Sequence, residues 1–271
     1  MKPIKRILAE NPNIPLIQQL YGQNLDNILQ QISTSQDKKI YLISQKQLGL
    51  KRILKFFKSN QIEFKIIGKK SPDLRLIELN PQTVNLEITE QSVTLKVGET
   101  AKTLKTSNSI FSKNQIDPGS QKCLEYLEDK KLPITGQVLE VGSGYGAISY
   151  YLLSKYQEIF LDTYEIDQAS VVNCEDNLKG FQNKKIHLKN FFNTKLFKKF
   201  DYLIANPPLH ISSDERKQMF SKIHANNANL KMVLIIKSRF AQRFLDSCQK
   251  YYPSAKLIKI DNYFILTNLE A

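Results

Sequence analysis

One stretch, "GQVLEVGSGYGAISYYLLSKY" (residues 136–156), limits the possible folds of this chain more than any other. Gln137 to Val141 reads as a strand, Gly142, Gly144 and Gly146 follow at alternate positions, and a helix then begins. Glycines suit a turn that bends tightly and lets a ligand lie against its backbone. The helix start then offers free N–H groups to an anionic group. From about residue 118 strands and helices alternate, which implies a parallel sheet covered on both faces. "AKLIKIDNYFILTNL" places Asp261-Asn262 between two apolar runs, a two-residue hairpin signal. The expected class is α/β: a Rossmann-like sheet of parallel strands ending in an antiparallel hairpin, preceded by a smaller α/β region.

The glycine loop by itself admits two ligands. Gly142, Gly144 and Ala147 satisfy the dinucleotide fingerprint, which leaves a nucleotide-dependent oxidoreductase open. Glu140 argues the other way. A carboxylate there repels a pyrophosphate but attracts the cationic end of S-adenosylmethionine, directly or through water. The next strand, "IFLDTYEID", ends in Glu165 and Asp167. An acid at this point typically accepts hydrogen bonds from ribose hydroxyls. Glu165 fits that role, and Asp167 fits the cap of the helix "QASVVNCEDNLKG". Asn190, after the strand "KKIHLK", stands where a side chain reaches an adenine ring, or serves as a turn residue.

"LIANPPLHIS" (residues 203–212) ends an apolar run with Asn206-Pro207-Pro208. Neither proline can donate a ladder hydrogen bond, so the strand stops there. The residue before a proline is pushed toward extended backbone, which restricts Asn206. As the fourth strand of the alternating region, this one lies beside the first. Asn206 therefore faces the crevice where such sheets bind ligands.

Composition narrows the partners. The net charge of +13 draws the chain to polyanions, and roughly +8 of it falls before residue 119. In "LGLKRILKFFKSN", Leu50, Ile53, Leu54 and Phe57 share one helical face, and Lys51, Arg52, Lys55 and Lys58 fall largely on the other. Those four charges are candidate phosphate contacts. Three lone cysteines and three scattered histidines favour free thiols, a reducing cytoplasm and no metal site. No apolar run is long enough to span a membrane or to serve as a secretory signal. Ahead of the glycine loop, "IPLIQQLYGQNLDNILQQI" has helical spacing, "KIYLIS" and "IEFKIIG" read as strands, and "LRLIEL", "TVNLEIT" and "SVTLKVG" alternate like short strands. The expected division is an amino-terminal region over 1–106, RNA-binding and non-catalytic, and a catalytic domain over 107–271.

Asn206-Pro207-Pro208 resembles the Asn-Pro-Pro-aromatic motif of class I methyltransferases that modify exocyclic or side-chain amide nitrogens. In that family the Asn carboxamide and the following carbonyl accept hydrogen bonds from the target –NH2 and aim it at the methyl donor. Phe111, Ser112, Lys113, Asp117, Gly119 and Ser120 resemble the entry segment of the small-subunit ribosomal RNA guanine-N2 methyltransferases. That resemblance implies S-adenosylmethionine as cofactor, ribosomal RNA or a ribosomal subunit as partner, and guanine N2 as the target. Adenine or a protein glutamine would suit the same motif. Leu209 departs from the pattern, because the family carries there an aromatic that stacks on the flipped base, while His210 matches and is a candidate substrate contact. Without that aromatic, the substrate differs, the stacking partner lies elsewhere, or the chain is a non-catalytic RNA-binding protein that keeps the fold.

Overall fold

A computed structural model describes residues 2–18, 28, 32, 35–45, 50–69, 73–83, 90–107 and 115–270. Phe111, Ser112 and Lys113 of the entry segment lie outside the described residues, as does the side chain of Arg52. The chain divides into two compact units, Met1–Thr89 and Glu90–Ala271.

In the first unit, the described strands are β1 (Lys2–Pro3), β2 (Leu16–Gln18), β3 (Ile40–Gln45), β4 (Phe64–Lys69) and β5 (Leu74–Leu79), with helices α1 (Ile4–Glu10) and α2 (Leu50–Ser59). They form a mixed sheet in the order β1-β4-β5-β3-β2. Leu50, Ile53 and Phe57 of α2 are buried in one cluster with Ile40, Leu42, Ile77 and Leu79. Lys51, Lys55 and Lys58 are exposed, as the amphipathic spacing requires. The helical reading of residues 14–32 fails at its start. Leu16–Gln18 pairs in parallel with Tyr41–Ile43, because a free sheet edge outweighs a weak helical preference over three residues. Of "TVNLEIT", only Thr83 is described, and it closes a 3-10 turn.

The second unit opens with a hairpin, β6 (Glu90–Val97) and β7 (Thr100–Ser107), which the sequence reading had placed in the amino-terminal region. Val93, Leu95, Val97 and Leu104 join the same buried cluster as Leu124, Val138 and Leu152. The carboxamide of Asn177 fastens it: Oδ1 accepts from Lys105 N at 2.7 Å, while Nδ2 donates to Lys105 O and to Tyr145 O. The unit boundary therefore falls after Thr89 and not at 106.

The remainder follows the alternating pattern: α3 (Pro118–Lys130), β8 (Gly136–Val141), α4 (Ala147–Lys155), β9 (Ile159–Glu165), α5 (Gln168–Asn177), β10 (Lys184–Leu188), β11 (Tyr202–Ala205), α6 (Ser213–Asn226), β12 (Lys231–Lys237), α7 (Ser238–Cys248), β13 (Lys256–Ile260) and β14 (Tyr263–Thr267). Seven strands stand in the order β10-β9-β8-β11-β12-β14-β13. The first five are parallel, and β14 runs antiparallel to both its neighbours. Residues 232–236 of β12 are all buried, as a strand covered on both faces must be. Chain order reverses between β8 and β11, so the crevice outside their carboxyl ends is the place for a ligand.

Candidate active site

Gly142 leaves β8 at φ +83, backbone that only glycine adopts without strain. A Cβ there would touch Pro208 Cδ at 3.4 Å and lie 3.8 Å from the Asn206 carbonyl oxygen. The glycine loop and the Asn-Pro-Pro segment thus face each other. Gly144 is open, with no heavy atom within 4 Å of the place a Cβ would take. Gly146 precedes α4 as its cap, also with positive φ.

Glu165 closes one side of this loop. Its Oε2 accepts from Gly144 N at 3.0 Å, and its Oε1 accepts from Ile166 N at 2.6 Å and Asp167 N at 3.0 Å. Burial holds its carboxyl above the ordinary carboxylate range, against the opposing pull of those three N–H groups. Asp167 caps α5, accepting from Ser170 N at 3.1 Å. Asn190 accepts from Phe192 N at 2.9 Å and so starts the 3-10 turn Phe191–Asn193.

Glu140 lies beneath the loop and not on its open face, 1% exposed, with its carboxylate hydrogen-bonded by the Ser149 hydroxyl. Burial pushes its pKa up to about 8; the Ser149 bond opposes this and the nearby Glu165 adds to it. Asp162 on β9 is equally buried but behaves oppositely. Burial acts to raise it, yet His187 and Lys198 beside it outweigh that and hold it below the ordinary value. The two carboxylates differ in having a cation. No cation among the described residues pairs with Glu140, and an open glycine loop lies above it. With Glu140 turned away from the open face, the groups left beside the loop are the open backbone at Gly144 and the Glu165 carboxylate, which suit a ligand with a polar body. The residues present therefore fit S-adenosylmethionine.

Asn206 follows β11 at the crevice. Its Nδ2 donates to Asp117 Oδ2 at 2.7 Å and to Ser120 Oγ at 3.1 Å. Asp117 also caps α3 by accepting from Ser120 N at 3.0 Å. Pro207 is buried and Pro208 exposed. Leu209 is half-buried and packs on the apolar cluster that contains Leu139 and Leu203. His210 is exposed, with its ring edge-to-face with Phe240 at 5.1 Å, and the Arg239 guanidinium lies 4.7 Å from the same Phe240 ring. Sequence reasoning missed Phe240 and Arg239, which come from the start of α7. It named Asp117 and Ser120 only as parts of a motif.

Lys51, Lys55 and Lys58 belong to the first unit. No group of residues able to hold a metal ion occurs among the described residues, and no helix among them is long and apolar enough to cross a membrane. Cys123, Cys174 and Cys248 are free and buried.

A model of the methyltransferase small domain family matches residues 101–233. Ribosomal RNA small subunit methyltransferase C of Psychromonas ingrahamii is 28% identical over 156 residues, covering 56% of this chain and 43% of that protein. Uncharacterized protein YbxB of Bacillus subtilis is 24% identical over 59% of this chain and 83% of its own length. The chain thus spans less than half of the first of these relatives. Among solved structures, the T. thermophilus 16S rRNA N2 G1207 methyltransferase (RsmC), in complex with AdoMet and guanosine, superposes with a TM-score of 0.62 at 20% identity. That likeness covers 84% of this chain and 64% of the other. The fold is that of the class I methyltransferases, residues 101–233 match the methyltransferase small domain family, whose cofactor is S-adenosylmethionine, and the chain resembles the small-subunit ribosomal RNA methyltransferases.

Proposed function

We propose that the chain transfers a methyl group from S-adenosylmethionine to an exocyclic amine, guanine N2 of ribosomal RNA. The observation that carries this reading is the apposition of Asn206-Pro207-Pro208 to the glycine loop at Gly142. Acceptors for an amine stand directly beside the loop that holds the donor. When bound, the cofactor supplies an electrophilic methyl group. Asn206 Oδ1 and the Pro207 carbonyl accept the two N–H bonds of the target amine and turn its lone pair toward the loop. Asn206 does not titrate, and positioning supplies most of the rate without a strong base. The surplus proton leaves to solvent.

In place of the aromatic that Leu209 lacks, the flipped base is met by Phe240, which lies edge-to-face with His210 and 4.7 Å from the Arg239 guanidinium. In the first unit, Lys51, Lys55 and Lys58, with Arg52, grip RNA phosphates and do no chemistry.

Labelled S-adenosylmethionine with unmodified ribosomal RNA, followed by nucleoside analysis, tests the proposal. N2-methylguanosine is the expected product. Label in N6-methyladenosine, in protein glutamine, or in no product would overturn the guanine assignment. Tight NAD binding without a response to S-adenosylmethionine would overturn the chemistry altogether.

A further inference from the structure

We infer that Asp117 and Ser120 are positioning residues that decide which end of the Asn206 carboxamide meets the target amine. This deepens the reaction proposed above and rests on it. A carboxamide is nearly symmetric in shape but not in chemistry: one end accepts hydrogen bonds and the other donates them. Its terminal torsion is broad and roughly two-fold, so an unheld Asn presents either end. Turned the wrong way, Asn206 would set its own –NH2 against the –NH2 of the target.

The neighbouring atoms remove that choice. Asp117 Oδ2 already accepts the Ser120 N–H, and it takes a second hydrogen from Asn206 Nδ2 at 2.7 Å. Rotating the amide by half a turn would bring two oxygens together at that separation, with no hydrogen between them. Ser120 Oγ, one turn into the same helix end, accepts from Nδ2 at 3.1 Å. Both hydrogens of Nδ2 are therefore spoken for, and Oδ1 is the atom left to face outward. Gly119 leaves room for the arrangement. A Cβ there would come within 3.2 Å of Asn206 Nδ2 and 3.1 Å of Tyr263 Cε1, so any side chain at this position would displace the amide. The Asp-x-Gly-Ser pattern thus does two things with one oxygen: it starts α3 and sets the polarity of Asn206.

The test separates the two. Asp117→Ser keeps a hydroxyl able to cap the helix but withdraws the carboxylate oxygen from Asn206. A misplacement of about 1 Å near the reacting atoms costs about 100-fold. Asp117→Ser is accordingly expected to lower kcat by about 10- to 100-fold, with KM for RNA, S-adenosylmethionine affinity and Tm nearly unchanged. Asp117→Asn still offers an oxygen to the same two hydrogens and should recover most of kcat. Ser120→Ala, which leaves Asp117 in place, should cost less. Side-chain amide exchange by nuclear magnetic resonance supplies a readout independent of activity: the Asn206 –NH2 is protected in the wild type and loses protection in Asp117→Ser. Wild-type kcat with retained protection in Asp117→Ser would overturn the inference. So would a loss of kcat that follows a matching loss of Tm and cofactor affinity, since that describes a structural residue. If no exocyclic amine is methylated by the wild type but the amide protection is lost on substitution, the proposed reaction fails and the positioning stands.

Discussion

The two units both contain a twisted sheet flanked by helices, yet only one of them gathers polar chemistry. In Glu90–Ala271 the parallel strands β10, β9, β8, β11 and β12 all point their carboxyl ends toward one edge. Gly142, Glu165 and Asn206 leave three of those strand ends and so meet in one crevice. In Met1–Thr89 the described strands β1, β2, β3 and β4 run one way, and the central β5 runs against them. The antiparallel β5 stands between the parallel pairs β1-β4 and β3-β2, so the described strands of this unit lack the junction of two parallel neighbours with reversed chain order that β8 and β11 form. Burial tells the same story. Glu140 and Asp162 are buried carboxylates in the second unit, whereas Ser44 is the one buried polar residue among the described residues of the first. That junction, more than composition, distinguishes the two units.

Four measurements would break or sharpen this contrast. The largest effect is expected from Asn206→Ala, which removes the acceptor at the shared edge. Turnover should fall by at least about 1,000-fold, the upper range for loss of one preorganised hydrogen-bonding group. Cofactor affinity should stay within about twofold, because Asn206 is assigned to the target. A variant that turns over at a rate near wild type would empty the crevice of its proposed purpose.

Glu140→Gln comes next and concerns stability. The folded pKa of Glu140 is raised from 4.5 to about 8, so the folded protein binds a proton that the unfolded chain releases. Its contribution is complete below pH 4.5 and is lost as pH rises through 8, giving a decline of about 3 kcal/mol between pH 5 and 8. Denaturant unfolding of the ligand-free protein should show that decline in the wild type and a flatter profile in Glu140→Gln. Parallel profiles would mean that Glu140 is solvated after all.

Glu165→Ala should weaken S-adenosylmethionine binding by about 1–3 kcal/mol, the scale of hydrogen bonds to charged groups. Isothermal calorimetry reads this directly, and unchanged affinity would move the ribose contact elsewhere. The smallest effect on the crevice, none, is expected from neutralising Lys51, Arg52, Lys55 and Lys58 together. The salt dependence of RNA binding should flatten by roughly 2–4 logarithmic units while cofactor affinity stays fixed. An unchanged slope would reduce α2 to a solvated helix.

The second unit was legible where its signals were local. A strand, three spaced glycines and a helix lie within 21 residues, and the hairpin turn at Asp261-Asn262 is read from two residues and their flanks. Long-range features were not. The pairing of Asp117 with Asn206 spans 89 positions, and nothing in either segment names the other. The β6–β7 hairpin alternates as any exposed hairpin does, and only packing shows which core it joins. Glu140 was read as a group facing the ligand, because spacing places a residue along a strand but does not say how deeply it lies. Leu16–Gln18 was misread because three apolar-leaning residues carry no period of their own.

The position of β14 has a consequence for the order in which the molecule assembles. It follows β13 in the chain, yet it lies inside the sheet, between β12 and β13. Strand β13 emerges first and has no neighbour to join until Tyr263–Thr267 arrives. The pair must therefore zip at the Asp261-Asn262 turn and dock onto β12 as one piece. Until then β12, with five consecutive buried residues, presents an open edge. Docking of the β13–β14 hairpin is therefore the step that protects this edge from pairing with another chain.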